Sequence, residues 1–181
     1  VSPAHGIRGQ SLPRLDLIGV LLCALLVLGA YALQWLAGMT PCPLCLLERY
    51  LLAALGLAFA VCAWARPRAR GHWPAGGLLL LPTTAGVAAS VHHLRIQSGA
   101  APATCGEPAA RPAFNQGLPF ATEPPPEPGW TAWLPETGAS CAQADLLLGL
   151  PLTAWALAAF AALGGTGLLA HFAAALRGPR P

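Results

Sequence analysis

The most regular feature of the chain is the alternation of long apolar runs with short polar or proline-rich segments. Four runs reach about 20 residues, the length that an α-helix needs to cross a bilayer. They cover about residues 15–37, 42–65, 73–94 and 146–169. We therefore predict an all-α membrane protein built as a bundle of four transmembrane helices.

Prolines divide the chain further. Pro82 lies inside the third run, where membrane helices tolerate proline, and predicts a kink. Pro151 lies near the start of the fourth run and fits a helix boundary. The segment of about residues 95–145 is crowded with prolines, which exclude a long regular helix, and EPPPEP at 123–128 favours extended polyproline structure. We predict one integral membrane domain over residues 1–181, with this segment as its long proline-rich outer loop.

Composition supports the membrane assignment. The chain is 55% hydrophobic and only 9% charged, whereas a soluble domain carries about a quarter charged residues. The net charge of +3 is small, and the arginines form no basic stripe with interleaved aromatics, so no nucleic-acid partner is expected.

The arginines indicate an orientation. Seven of them fall before the first span, between the second and third, and after the fourth: Arg8, Arg14, Arg66, Arg68, Arg70, Arg177 and Arg180. With four spans these regions share one side, and the positive-inside rule places that side in the cytoplasm. Both termini are then cytoplasmic, and the 95–145 loop faces outward, into the periplasm if the cell is a bacterium.

The six cysteines fall into two kinds. Cys23 and Cys62 sit inside apolar runs and are interpreted as small buried hydrophobic residues. Cys42, Cys45, Cys105 and Cys141 lie on the predicted outer side. Because disulfides persist in the periplasm, these four are the candidates for redox chemistry.

The segment MTPCPLCLLERYLL, residues 39–52, opens the second span with a C-x-x-C pair. Pro43 suits the first turn of a helix, which places Cys42 at the N-cap and lets the helix dipole favour thiolates at Cys42 and Cys45. Arg49 follows Cys45 by one turn on the same face and adds a cation. Glu48 points about 100° away from Arg49 on a helix and is interpreted as interfacial, with a supporting role at the site as the alternative.

Two further readings stay open on the residues alone. A C-x-x-C pair also serves zinc, with Cys105 and Cys141 to complete four ligands, but a second C-x-x-C is missing and no metal is expected. His92 and His93, at the outer end of the third span, are either interfacial residues or proton and hydrogen-bond partners of a bound redox ligand.

The segment PCPLCLLERY, residues 41–50, resembles the PCxLCxxER segment of the DsbB family of bacterial disulfide-bond-forming membrane proteins. The proline-rich loop opened by Cys105, the segment CAQADLLLGLPLTAW from Cys141, and GVAASVHH at 86–93 are similar to the same family. The resemblance covers about residues 15–170.

The resemblance implies a quinone-dependent thiol oxidase in the bacterial inner membrane. A DsbA-like thioredoxin-fold protein would reduce a Cys105–Cys141 disulfide, the freed Cys141 would attack Cys42, and Cys45 would be left as a thiolate against a quinone. Arg49 is carried over as the cation beside the quinone, and His93 is preferred to His92 as a further quinone contact. The quinone, ubiquinone or menaquinone, would lie with membrane lipid beside Cys45.

Two other functions compete with this one. A vitamin K epoxide reductase-like enzyme also links thiols to quinones, but its C-x-x-C pair usually lies near the end of a late span. A non-catalytic four-span protein could use the outer cysteines only to staple loops or to bind zinc.

Overall fold

We analysed the chain as a computed structural model that describes residues 11–37, 41–65, 71–101, 141–142 and 144–177. A two-stranded antiparallel hairpin precedes the last helical stretch, and a π-helical turn divides that stretch in two. The elements are α1 (Ser11–Ala37), α2 (Pro43–Ala65), α3 (His72–Gln97), β1 (Leu146–Leu147), β2 (Leu150–Pro151), α4 (Leu152–Ala159), the π turn (Phe160–Gly164) and α5 (Gly165–Leu176).

Four helical rods in the described residues are long and apolar enough to cross a membrane. The last rod is continuous through α4, the π turn and α5 and runs over Leu152–Leu176. These rods confirm the predicted four-helix membrane fold. The predicted loop of about 95–145 lies mostly outside the described residues.

The fourth rod begins at Leu152, later than the predicted residue 146. The intervening residues form the hairpin, whose turn holds Leu148 at φ 55° and Gly149 at φ 81°. Pro151 follows at φ −60° and ψ 141°, an extended conformation that cannot continue a helix. The helical part of this apolar run therefore begins directly after Pro151, the proline at which the sequence placed a boundary.

The core lies where α1, α2, α3 and the fourth rod meet. Its members are Cys23, Leu52, Leu55, Ala58, Phe59, Cys62, Ala75, Leu79 and Phe160. Cys23 and Cys62 are only 1% and 2% exposed, which confirms their assignment as buried hydrophobic residues. α3 stays a single helix across Pro82, and Thr83 Oγ1 donates to the Leu79 carbonyl at 2.7 Å.

Glycines let two aromatic rings reach the backbone of neighbouring helices. Phe160, in the π turn, lies against Gly86 of α3, where an added Cβ would overlap the ring. Phe59 of α2 lies in the same way against Gly167 of α5. Small residues at such crossings allow close helix packing, which holds helices together in a bilayer.

A chain of buried polar side chains joins three helices at the end of the bundle that holds the N-terminus of α1. His171 Nε2 lies 3.1 Å from Asp16 Oδ1, and His171 Nδ1 lies 3.2 Å from His72 Nδ1. Asp16, His72 and His171 are 3%, 8% and 0% exposed. Because a bilayer offers no hydrogen-bond partners, these contacts satisfy groups that would otherwise be costly inside the bundle.

We expect Gly86→Ala to destabilise the bundle by about 1–3 kcal/mol, because the new methyl group must displace the Phe160 ring. Gly77→Ala is the matched control on the same helix, since a Cβ there meets nothing within 4 Å. Unfolding of each variant over a series of denaturing detergent concentrations measures the loss of stability. Equal stability of the two variants would contradict the close contact, and Phe160→Leu should recover part of the loss in Gly86→Ala.

Candidate functional site

Four of the predicted site residues converge at the other end of the bundle. Cys42 and Cys45 lie at the N-terminus of α2, and His93 lies in the last turns of α3. Arg49 is one turn further along α2. Helices that run in opposite directions bring these ends together, so residues distant in sequence form one site.

The C-x-x-C pair adopts the predicted capping geometry. Cys42 immediately precedes α2, and the Cys45 backbone N–H donates to Cys42 Sγ at 3.2 Å. The two sulfurs lie 2.8 Å apart as free thiols, with Cys42 buried and Cys45 partly exposed. Pro43 begins the helix, where its missing N–H has no partner to lose.

Negative charge is stabilised best at Cys42. Either sulfur could donate in the contact between them, but the backbone N–H groups of Leu44 and Cys45 favour a negative charge on Cys42, which makes the Cys45 thiol the donor. Its hydrogen bond is the largest effect that lowers the pKa of Cys42 below the ordinary value, against opposing contributions from burial and from the Glu48 carboxylate. The helix start therefore favours a thiolate at Cys42 more than at Cys45.

His93 is the centre of a buried polar network and is 0% exposed. Its Nδ1 lies 3.2 Å from Glu48 Oε1 and 3.2 Å from Thr153 Oγ1. Its Nε2 lies 3.6 Å from Cys42 Sγ and 3.3 Å from Gln97 Nε2. The ring thus links a carboxylate on α2 to the sulfur at the start of the same helix.

Cys141 reaches this network from the loop that precedes the hairpin. Its sulfur, the Cys42 sulfur and a ring nitrogen of His93 all lie within 4.8 Å of one another. Cys141 is disulfide-bonded, and none of Cys23, Cys42, Cys45 and Cys62 is its partner, since all four are free. Cys105, the predicted partner, lies outside the described residues.

The same grouping raises the question of a zinc site. Tetrahedral zinc with bonds of about 2.3 Å holds two thiolate sulfurs about 3.8 Å apart, whereas Cys42 and Cys45 are 2.8 Å apart. Cys141 is not a thiolate donor while it is disulfide-bonded. This arrangement therefore suits sulfur exchange better than metal coordination.

A cavity of about 280 Å³ lies beside the cysteine pair, between α1, α2 and α4. Leucines, alanines and Trp155 form apolar walls, and six residues bring polar groups to it: Cys45, Glu48, Arg49, Gln97, Asp145 and Thr153. A largely apolar cleft with a few convergent polar groups is the usual form of a small-molecule site. The cavity is lined by Cys45 but not by Cys42 or His93.

Arg49 is held against α1. Its Nη1 donates to Gln34 Oε1 at 2.6 Å and its Nη2 donates to the Ala30 carbonyl at 3.3 Å. The guanidinium carbon also lies 4.9 Å from the centre of the Tyr31 ring. These contacts fix an Arg side chain at the cavity wall, so a cation faces the space next to Cys45.

The sequence did not predict the partners of these residues. Glu48 was interpreted as interfacial, yet it is 7% exposed and contacts His93. Gln34, Gln97 and Thr153 were not singled out. The signal that could have found them is a polar side chain within a predicted span, close to the end that carries the cysteines.

Comparison with known proteins agrees with the family resemblance seen in the sequence. Residues 13–170 match the family model described as Disulfide bond formation protein DsbB. A protein of Alkalilimnicola ehrlichii named Disulfide bond formation protein B is 35% identical over 156 residues, covering 85% of this chain and 90% of the relative. Proteins of the same name from Chromohalobacter salexigens and Neisseria meningitidis serogroup B are 31% and 32% identical, over 87% and 81% of this chain and 88% and 86% of their own lengths. No solved structure shows significant similarity to the chain.

The contact between the two thiols predicts their ionisation. In a reduced chain that keeps only the Cys42–Cys45 pair, with alanine at Cys23, Cys62, Cys105 and Cys141, Cys45→Ala should raise the midpoint for the Cys42 thiolate by about one pH unit. The thiolate is present above its pKa, so loss of the donor delays its appearance to higher pH. Cys45→Ser keeps a donor and should shift the midpoint less. Ultraviolet thiolate absorbance measures the titration, and an unchanged midpoint in Cys45→Ala would contradict this assignment.

Proposed function

The chain belongs to the disulfide bond formation protein B (DsbB) family of membrane proteins, and we propose that it oxidises a soluble dithiol protein and reduces a membrane quinone. Family membership supplies the disulfide oxidoreductase role. The electron route through two cysteine pairs and the quinone acceptor are our proposal. One observation supports it above all: a loop cysteine, a C-x-x-C pair and an apolar cavity meet at one end of a membrane-spanning bundle.

The route begins at the loop. A thiolate of the partner attacks the Cys105–Cys141 disulfide at Cys105, and Cys141 leaves with the electron pair and takes up a proton to become a thiol. Cys141 then attacks Cys42, the Cys42–Cys45 bond breaks, and Cys45 leaves as a thiolate. Each exchange forms one S–S bond and breaks one, as thiol–disulfide exchange requires. The proximity of the Cys141 and Cys42 sulfurs, within 4.8 Å, supports the second step.

The cavity fits the head group of a lipid-soluble quinone. Its volume of about 280 Å³ is close to the lower limit of about 300 Å³ for small-molecule sites, and its walls are apolar. Cys45 lines it, and the Arg49 guanidinium, which carries five N–H donors, gives two of them to α1. When bound there, the quinone supplies the acceptor for two electrons and two protons.

The residues around the cavity have separate tasks. Cys45 presents the sulfur from which the electron pair departs, and Arg49 opposes the negative charge that develops beside it. Apolar side chains of α1 and α4 form the walls of the space beside this sulfur. The contact between His93 and the quinone that the resemblance implies stays a prediction, since the His93 ring faces Cys42 rather than the cavity.

A soluble partner and a cell compartment follow from the same chemistry. A DsbA-like thioredoxin-fold oxidase has a potential of about −120 mV, so its reoxidation needs an acceptor that is still more oxidising, such as a quinone. We propose a bacterial inner-membrane location with both termini in the cytoplasm and the four redox cysteines in the periplasm. The arginine distribution supports this orientation.

The purified chain in detergent should reduce ubiquinone when it is given reduced DsbA. Cys45→Ser should abolish quinone reduction because it removes the sulfur next to the cavity. Cys105→Ser should block electron entry from the partner and leave quinone binding intact. Cys62→Ala, a core thiol outside the site, is the control and should keep the rate. Quinone absorbance follows the reaction, and a normal rate in Cys45→Ser would disprove the proposed exit for electrons.

Arg49→Gln should raise the quinone concentration at half-maximal rate by about 10- to 100-fold, the value of one charge-assisted hydrogen bond. Arg95→Gln is the matched control, because Arg95 lies exposed at the same end of the bundle and does not line the cavity. A titration with ubiquinone at saturating partner concentration measures both. If the two variants require the same quinone concentration as the parent, Arg49 does not contact the acceptor.

A further inference from the structure

We propose that His93, oriented by Glu48, takes the proton of the attacking thiol, Cys141 or Cys42, during the exchange that joins the two cysteine pairs. Because it rests on the proposed function, this role deepens the electron route described above. It assigns His93 to the sulfur side of the site, as a catalytic residue, and Glu48 as its positioning residue.

The position of the His93 ring is the first ground. Cys42 Sγ lies 3.6 Å from Nε2, and the Cys141 sulfur lies within 4.8 Å of the ring and of Cys42. The ring also hydrogen-bonds to the backbone of Cys141. One imidazole therefore borders both sulfurs between which the new S–S bond forms.

Glu48 determines which ring nitrogen is free to accept a proton. A carboxylate can only accept, so the hydrogen of a neutral ring lies on Nδ1 and points to Glu48 Oε1, 3.2 Å away. The lone pair then lies on Nε2, which faces Cys42. A carboxylate that holds a histidine in the working tautomer while the other nitrogen faces the nucleophile is a recurring arrangement in enzymes.

Gln97 fits both protonation states of the ring. Its amide nitrogen lies 3.3 Å from His93 Nε2 and 3.2 Å from Thr153 Oγ1, so its two hydrogens serve a neutral ring and a hydroxyl. Its Oε1 has no partner among the described residues. Rotation of the amide by half a turn would turn that oxygen to a protonated Nε2, so the side chain can follow the proton.

The step balances without an outside reagent. The Cys141 thiol gives its proton to His93 Nε2, its sulfur bonds to Cys42, and the Cys42–Cys45 bond breaks. Cys45 leaves with the electron pair as a thiolate, and the charge on His93 is opposed by Glu48. In the reverse exchange, the proton returns from His93 to Cys141. The state described here, with Cys42 reduced, lets the same nitrogen take the Cys42 proton when Cys42 attacks.

The groups that face the His93 ring determine how its protonation depends on pH. Glu48, Cys42 and Cys45 face it from α2 and its start, Gln97 from α3, Thr153 from α4, and Cys141 from the loop. Among these, Gln97 and Thr153 do not titrate. Glu48 provides the only fixed negative charge at the ring among the described residues, which makes it the residue whose removal should weaken the base.

An intramolecular assay tests this role without a partner or a quinone. In a Cys105→Ser chain, Cys141 is a thiol and can attack an oxidised Cys42–Cys45 pair. The sample is held at low pH, and a jump to the test pH starts the exchange. Acid quenching followed by alkylation of free thiols stops it. Mass spectrometry then measures the amount of peptide linked through Cys42 and Cys141. The rate is measured from pH 6 to pH 9.5.

We expect His93→Gln to slow the exchange by about 30-fold at pH 7, because an unassisted thiol with an ordinary pKa is only about 3% ionised there. The deficit should shrink to within about threefold at pH 9.5, where the thiol ionises without help. Glu48→Gln should slow the exchange by about 3- to 10-fold at pH 7, and Glu48→Asp should recover part of that loss. His92→Gln, the exposed neighbour on the same helix, should match the parent at every pH.

The outcomes separate the two proposals. A His93→Gln rate equal to the parent, or reduced by one factor at every pH, would overturn the proton role and leave the electron route standing. Absence of the linked peptide in the parent itself would overturn the route and the role together. Exchange that depends on His93 in a chain unable to reduce ubiquinone would support the role and refute the quinone acceptor.

Discussion

The bilayer imposes the constraint on which this structure depends: a polar side chain within the bundle must find its partner inside the protein. The buried acidic and histidine side chains of the described helices meet at the two ends of the bundle. Asp16, His72 and His171 join α1, α3 and α5 at one end. Glu48, His93 and Thr153 join α2, α3 and α4 at the other. The sulfurs of Cys42 and Cys141 lie beside His93 in the second group, which makes that network the candidate for thiol chemistry.

The sequence predicted what depends on composition and local spacing. Apolar run length identified four spans, and the Pro43 position identified the start of α2 with its two thiols. The sequence predicted the start of the fourth helix several residues too early, because hydropathy does not distinguish the leucines of the hairpin from those of a helix. The contact of Glu48 with His93 could not be predicted, since it joins residues 45 positions apart and depends on how α2 and α3 cross. The helix dipole and Arg49 led the sequence to favour a thiolate at Cys45 as well as at Cys42, whereas the contacts at the helix start stabilise negative charge more at Cys42.

Close helix packing is what turns these distant residues into a site. Gly86 admits Phe160, so α3 and the fourth rod approach closely there, and Gly167 admits Phe59, so the fourth rod also packs closely on α2. That close packing fixes the position of Thr153 beside His93, where Thr153 Oγ1 lies 3.2 Å from His93 Nδ1. A shift of about one ångström there would exceed the range of a good hydrogen bond. Packing far from the sulfurs thus controls the orientation of the ring beside them.

Adjacent charges at Glu48 and Arg49 explain how one helix can serve two processes. Successive residues on a helix point about 100° apart, so one side chain turns toward α3 and the other toward α1. Glu48 meets the ring beside Cys42, and Arg49 meets Gln34 at the cavity wall. Cys45 lies between them, 2.8 Å from Cys42 and in the lining of the cavity. The proposed proton transfer at the Cys42 side and the proposed electron transfer at the cavity side therefore use different side chains, although one turn of α2 carries both.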